Sequence, residues 1–283
     1  MIKKRLILID TFALIYNAFR NYGNTAIKGY DGTKTSIVDG FFLALDEIIS
    51  SHKPTHIALV FDVKKPTFRH LLYEKYKAHR KAMPDEIAKS IPEIRKILEL
   101  RHLQTFEMEG FEADDVIGTL AKRAVKQGFE VFIITPDKDF FQLVENSISI
   151  YKPKKSGKGI RKVGINEVCS RYSIAEPGQF IDLMALCGDS SDNIPGMRGI
   201  STKQAQKLIH EFGSIENIYR HLDAINPKHR ELLIEKREQL DLSKKLVTID
   251  LNVPITVNFE NLRMREIDNN ELKEYFDELN LRF

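Results

Sequence analysis

The sequence predicts an α/β fold with a mostly parallel central sheet flanked by helices. Three observations predict it. Short apolar runs at Leu6–Ile9, His56–Phe61 and Glu130–Thr135 have the length and β-branched content of strands buried on both faces. Segments with helical spacing lie between them, so strands and helices alternate along the chain. Each run closes on aspartate: Asp10, Asp62, and the pair Asp137 and Asp139 after Pro136.

Taken in order, the basic start Met1–Arg5 is followed by an apolar run too short for a signal-peptide core, with no cleavage site after it. Ile37, Phe41, Leu45 and Ile48 predict a helix over Thr35–Ser51, and His56–Phe61 is the second strand. Val116, Leu120 and Ala124 predict a helix over Ala113–Gln127, stopped by Gly128 before the third strand. The stretch Lys152–Lys162, rich in Lys and Gly, reads as a mobile basic loop. From Val163 the strand signals fade. Pro177–Cys187 reads as a helix and Gly188–Asn193 as a loop. Gly196–Ile200 leads into a helix over Thr202–Phe212, stopped by Gly213. The remainder reads as mostly helical, with an extended piece near Val253–Val257.

Composition narrows the class. A chain of 283 residues suits one main domain with a smaller satellite, and 42% hydrophobic with 29% charged residues is globular. No apolar run approaches the roughly 18 residues that span a bilayer, so no membrane partner is expected. Cys169 and Cys187 are the only cysteines and offer neither a disulfide framework nor zinc spacing, which fits a cytoplasmic protein. A net charge of +3 implies no nucleic-acid partner by itself; its distribution matters more.

In open parallel sheets, ligands bind beyond the carboxyl ends of the strands. The strand-end aspartates would therefore converge at one edge. Glu112, Asp114 and Asp115 open a helix, and Asp189 and Asp192 lie in a loop. Each has an ordinary explanation as a helix cap or turn former. Together, Asp10, Asp62, Glu112, Asp114, Asp115, Asp137, Asp139, Asp189 and Asp192 would repel one another strongly unless a cation compensates. No His or Cys stands with them at ligand spacing, so the donor set is all oxygen. That set suits Mg²⁺ or Mn²⁺ and disfavours zinc. Two such ions roughly 3.5–4 Å apart could clamp a phosphodiester and activate water.

Between Lys64 and Lys81 lie Lys64, Lys65, Arg69, Lys75, Lys77, Arg80 and Lys81, interleaved with Phe68, Tyr73 and Tyr76. Such a run is usually a solvated face. Here it directly follows Asp62, and cations mixed with rings suit a nucleic-acid strand. Gly196 to Ile200, followed by Lys203 and Lys207, resembles a helix–hairpin–helix. Its glycines, Gly196 and Gly199, would let backbone N–H groups approach a phosphate. Such a hairpin reads backbone and not bases.

The ordered set Leu-Ile-Asp10, Val-Phe-Asp62, Phe68-Arg69, Tyr76-Lys77-x-x-Arg80, Glu112-Ala-Asp114-Asp115, Asp137-Lys-Asp139 and Gly188-Asp189-x-x-Asp192-Asn193-x-Pro-Gly196 resembles the 5′-nuclease, or flap endonuclease-like, superfamily. It looks most like the N-terminal 5′→3′ exonuclease domain of bacterial DNA polymerase I, from about Leu6 onward. The resemblance implies a PIN-like α/β catalytic core over 1–162 with a helical arch at about 64–101. It implies a helix–hairpin–helix and helical DNA-binding region over 163–283. It implies two Mg²⁺ ions, with Mn²⁺ as substitute, and a K⁺ ion at the hairpin. Asp62, Glu112, Asp114 and Asp115 would serve mainly one divalent ion, with Asp10 close by. Asp137, Asp139, Asp189 and Asp192 would serve the other. Lys77 and Arg80 would steer and stabilise the scissile phosphate, and Tyr76 would stack on substrate. Arg69, Gly196, Gly199, Lys203 and Lys207 would join these in the DNA-binding set.

The implied activity is metal-dependent 5′→3′ exonuclease and 5′-flap endonuclease cleavage of DNA in replication and repair, leaving a 5′-phosphate and a 3′-hydroxyl. The implied partners are DNA flaps, nicks or 5′ ends, met by a monomer in the bacterial cytoplasm, continuous with a polymerase in a longer protein. The rival readings are a non-catalytic branched-DNA binding module, an RNA-directed PIN-like nuclease and a set of purely structural acids. A binding module predicts missing carboxylates, and none is missing.

Overall fold

A computed structural model describes residues 4–23, 36–153, 160–265 and 270–279. The first half runs β1 (Arg5–Asp10), α1 (Thr11–Tyr22), α2 (Ser36–His52), β2 (His56–Val60), α3 (Phe68–Leu72), α4 (Asp85–Leu100) and β3 (Gln104–Phe106). Next come α5 (Ala113–Lys126), β4 (Glu130–Ile134), β5 (Ile148–Pro153), β6 (Ile160–Val163) and α6 (Ile165–Tyr172). A helical half follows, with α7 (Phe180–Cys187), α8 (Thr202–Phe212), α9 (Ile215–Arg220), α10 (Pro227–Glu235), α11 (Arg237–Val247) and α12 (Asn270–Leu279).

The strands form one sheet of order β3-β2-β1-β4-β5-β6, parallel except where β6 returns antiparallel to β5. The strands alternate faces, so successive side chains feed two cores. Leu6, Leu8, Val131 and Ile133 pack under α5 and the helices of the second half. Ile7, Ile9, Phe132 and Ile134 pack against α1, α2 and α4. Leu6 to Ile9 are wholly buried, which is why β1 reads as a continuous apolar run. β1 has β2 on one side and β4 on the other. It is therefore the point where the strand order reverses, and its carboxyl end opens a crevice there.

Three expectations change. The basic stretch Lys152–Lys162 is not all loop: Lys152 ends on β5, and Arg161 and Lys162 lie on β6, paired with it. The middle of that stretch, 154–159, lies outside the described residues. The segment 64–101 is not one arch. Its second half, α4, buries Ile87, Ile94, Ile97, Leu98 and Leu100 in the core, so only the stretch before it overhangs the crevice. Pro177–Cys187 divides into a single 3₁₀ turn over Pro177–Gln179 and then α7. No helix among the described residues is long and apolar enough to cross a membrane.

Candidate metal centre

Asp10 is the last residue of β1 and the N-cap of α1. One carboxylate oxygen accepts from the Ala13 N–H at 3.2 Å and the other from the Thr135 hydroxyl at 3.0 Å. Asp62, just past β2, accepts from the Ala113 N–H at 2.8 Å, which ties the strand end to the first turn of α5. Asp137 follows β4, and its carboxylate accepts from the Asp139 N–H at 3.0 Å. In the 188–196 loop, Asp189 accepts from the Ser191 N–H and hydroxyl at 2.8 and 2.6 Å. These bonds leave outward-facing oxygens on a cleft of about 960 Å³ whose floor includes Asp10, Asp62, Asp114 and Asp137.

Asp137 bears on the acids of both sides, Asp10 and Asp114 on one and Asp139 on the other. Burial and then Asp62 raise the Asp10 carboxyl to about 7. Asp114, at the first turn of α5, is held well above the usual carboxylate range by burial and by Asp137. Asp62 is open to water at the cleft mouth yet recessed among other atoms, and it is also raised. On the other side, burial and then Asp137, Asp189 and Asp192 raise Asp139 to about 8.

Cations compensate only part of this charge. Lys77 lies 2.5 Å from Glu112 and 3.5 Å from Asp192. Arg80 meets Asp192 at 2.5 Å, and Lys138 meets Asp189 at 3.0 Å. Despite burial, Lys77 and Arg69 pull Glu112 below its ordinary range, and Ser191 and Lys138 do the same for Asp189. No such pairing reaches Asp10, Asp114 or Asp139 among the described residues. Nor do any three of the acids there already surround one point closely enough to grip an ion. The donor chemistry fits a hard divalent cation: an all-oxygen set whose ionised form is suppressed for want of positive charge.

Lys77 is held unusually. Its backbone adopts the left-handed conformation, with φ of +53°, and its N–H donates to the Asp192 carbonyl at 2.9 Å. Asn193, also left-handed at φ of +58°, donates its side-chain N–H to the Lys75 carbonyl at 2.7 Å. The 73–80 turn and the 188–196 loop are thus locked together, with strained residues at the lock.

Several expected roles fail. Asp115 is wholly buried, and both its oxygens accept from Arg69 at 2.7 Å. Its oxygens also accept from the N–H groups of Glu112 and Asp250. Its carboxylate is therefore committed to Arg69 and to backbone N–H groups, and it does not line the cleft. Arg69 is itself buried, donating to Glu112 and to the carbonyls of Leu246 and Thr248. It is not a surface contact for DNA. Tyr76 does not offer a stacking face: its ring is 3% exposed, and its hydroxyl is shared between Glu112 at 2.8 Å and Asp192 at 3.2 Å. Gly196 is buried against Gly188, where a Cβ would come within 2.3 Å of backbone nitrogen. Gly199, Lys203 and Lys207 are exposed, around the start of α8.

The sequence reading passed over Lys138, although it stands between two of the acids. It also passed over the cleft walls, where Phe12, Tyr16 and Arg20 recur every fourth residue after Asp10 on one side. Lys152, Arg171 and Tyr172 stand on the same cleft from β5 and α6.

A family model described as 5′-3′ exonuclease, N-terminal resolvase-like domain, matches residues 5–173. The chain belongs to the 5′-3′ exonuclease family. A second model, for the C-terminal SAM fold of the 5′-3′ exonucleases, matches residues 175–270. The chain is 37% identical over 278 residues to DNA polymerase I of Bacillus caldotenax, covering 98% of this chain and 31% of that protein. It is 39% identical over 269 residues to the thermostable DNA polymerase I of Thermus thermophilus, covering 94% of this chain and 31% of the relative. The chain thus spans about a third of the length of these curated relatives. Its fold is similar to that of the bacteriophage T5 flap endonuclease, crystallised as a pseudo-enzyme-product complex with DNA and metal ions. There the TM-score is 0.73 at 21% identity, over 88% of this chain and 89% of the other.

Proposed function

We propose that this member of the 5′-3′ exonuclease family hydrolyses DNA phosphodiesters at 5′ ends and 5′ flaps, in replication and repair. The observation that carries the proposal is the cleft floor, where Asp10, Asp62, Asp114 and Asp137 meet from four separate elements under the cations Lys77 and Arg80. A module that only bound DNA would gain nothing from uncompensated carboxylates facing phosphates, since like charges there weaken binding.

Mg²⁺, with Mn²⁺ as substitute, would be held by Asp10, Asp62, Glu112 and Asp114 on one side and by Asp137, Asp139, Asp189 and Asp192 on the other, supplying Lewis acidity and a nucleophile at neutral pH. Lys77 and Arg80, now engaged with Glu112 and Asp192, would turn to the phosphate once those acids are otherwise neutralised. They would stabilise charge that grows in the transition state. Tyr76 holds Glu112 and Asp192 in register by sharing its one O–H between them, closer to Glu112. Arg69 holds the base of the 73–80 turn against α5 and the segment after α11.

The proposal extends to the second half. Gly199, with φ of +107°, opens the approach to α8, and Lys203 and Lys207 stand one turn apart on its exposed face. Their spacing suits a duplex backbone, and a K⁺ ion at this helix–hairpin–helix turn is part of the same reading. So is the division into a catalytic core, 1–162, and a DNA-binding region, 163–283. We take the protein to be a monomer of the bacterial cytoplasm, joined to a polymerase in its full-length form.

The test is a 5′-labelled flap duplex incubated with Mg²⁺, with EDTA, and with the Asp137→Ala variant. Incision near the junction should need the metal and vanish in the variant, while junction binding persists. Tight binding with no incision under Mg²⁺ or Mn²⁺ would replace this reading with the binding module.

A further inference from the structure

Two cations lining the cleft have no role in the arrangement described so far. Lys152, at the end of β5, lies with its ammonium 4.5 Å from the centre of the Phe141 ring. Arg171, in the last turn of α6, lies with its guanidinium 5.6 Å from the Tyr172 ring. The two rings are neighbours, 5.8 Å apart and tilted, so they form one aromatic shelf carrying two positive charges. All four residues line the cleft that holds Asp10 and Asp137.

The pair is distinct from the other cations of the site. Lys77, Arg80 and Lys138 each lie against a carboxylate. Arg161, nearby on β6, is paired with Glu167. Among the described residues neither Lys152 nor Arg171 has a carboxylate at ion-pair distance. Burial pushes the Lys152 ammonium down to about 8; Asp137 pulls it the other way, and Arg171 and Arg161 add to the lowering. Arg171 also hydrogen-bonds the Tyr172 side chain, yet a guanidinium carries five N–H donors and an ammonium three, so donors remain for an anion. Two like charges on one shelf, Lys152 half-buried and Arg171 exposed, are unfavourable alone and favourable around an anion.

We infer that Lys152 and Arg171 form a phosphate subsite that grips an internal phosphodiester of the DNA strand, beside the scissile one. This rests on the reading that a DNA strand lies in the cleft. The subsite positions the strand and takes no part in bond cleavage. It acts through charge, so it adds affinity and salt dependence and leaves the chemical step alone. An internal phosphodiester is the ligand because the pair lines the same cleft as Asp10 and Asp137, near enough to Asp137 to feel its charge, so a strand crossing the carboxylates passes the pair as well.

The experiment uses the Lys152→Gln/Arg171→Gln double variant, which keeps most of each stem on the aromatic shelf. Binding of a fluorescent 5′-flap duplex is measured by anisotropy in EDTA, where nothing is cut, across a range of salt. The dissociation constant should rise about tenfold, and the slope of log K against log salt should shrink by about one. The loss should be the same with and without a 5′-phosphate on the flap. Single-turnover cleavage at saturating DNA in Mg²⁺ should stay within about twofold of the parent. The charge-keeping variant Lys152→Arg/Arg171→Lys should bind as the parent does.

Unchanged affinity and salt slope would overturn the subsite, as would a loss confined to the 5′-phosphorylated flap. A cleavage defect at saturating DNA with normal affinity would also overturn it. Absence of cleavage by the parent protein would instead count against the nuclease reading, and the binding series would still report on Lys152 and Arg171.

Discussion

Asp114 and Asp115 are adjacent acids at the start of one helix, and a difference of 100° around α5 gives them opposite work. Asp114 faces the cleft among Asp10 and Asp137, drawn only by the longer-range charge of Lys77 and with no cation at ion-pair distance among the described residues. Asp115 faces inward, where its two oxygens close a bidentate pair with Arg69. Burial and its acid neighbours raise Asp114 more than Lys77 draws it down, so removing its charge costs no stability. Removing one partner of a buried ion pair strands the other, at about 3–5 kcal/mol. Asp115→Ala should therefore lower unfolding stability by roughly that amount in urea titrations. Asp114→Ala should leave stability unchanged or raise it, and abolish cleavage. Equal stability losses in the two variants would refute the division. Nothing in the sequence separates these residues, because the signal that does so is Arg69, 46 positions from Asp115 along the chain.

At the scale of elements, the site depends on two irregular segments locked together, the 73–80 turn and the 188–196 loop. Gly196 is the tightest point of the second. Its φ is +56°, and a Cβ there would meet backbone atoms of Gly188 and Cys187 at 2.3 to 2.6 Å. Gly110 also has a positive φ, +85°, but a Cβ there meets nothing within 4 Å. Conformational strain alone costs about 1–2 kcal/mol, so Gly110→Ala should lose about that much. Gly196→Ala should lose clearly more, because backbone must move, and with it Asp189 and Asp192. Thermal melts of the two variants decide this; equal shifts in Tm would show that the close approach carries no energy.

The same scale explains what could be read beforehand. β1, β2 and β4 were legible because strands buried on both faces become unbroken apolar runs. α5 and α8 were legible from period and stop residues. The three-residue edge strand β3 has no apolar pattern, with Gln104 and Thr105 exposed. α1 was hidden by its cap, since Asp10 ends a strand and begins a helix in one residue. α4 was absorbed into the basic segment before it, although its buried Ile87, Ile94 and Ile97 carried a core stripe. Local pattern reveals elements. The locks between them are long-range and leave little local trace.

Across the whole molecule, the cleft links folding stability, pH and metal. Asp10 at about 7 and Asp139 at about 8 both lie above the ordinary 3.8, so the folded chain keeps protons that the unfolded chain has released. Stability from these groups is therefore lost as pH rises through their folded values. His52 and His56 act in the opposite sense. Burial lowers both below 6.5, so their contribution to stability grows with pH up to that value and is then constant. The carboxylate effect stands alone between pH 6.5 and about 8. In EDTA, Tm should fall across that window.

A divalent cation binds the ionised acids and stabilises the fold by mass action, so its effect must increase as the protons leave. The rise in Tm on adding Mg²⁺ should be larger at pH 8 than at pH 6.5. In the Asp10→Asn/Asp139→Asn variant, both the decline in EDTA and the pH dependence of the Mg²⁺ effect should shrink. A Tm in EDTA that is flat over the window would show that these acids ionise normally in the fold. A Mg²⁺ shift equal at both pH values would show that the ion binds away from them. The expected pattern would mean that charge the fold cannot satisfy alone is stored in this cleft, to be relieved by the cation the chemistry needs.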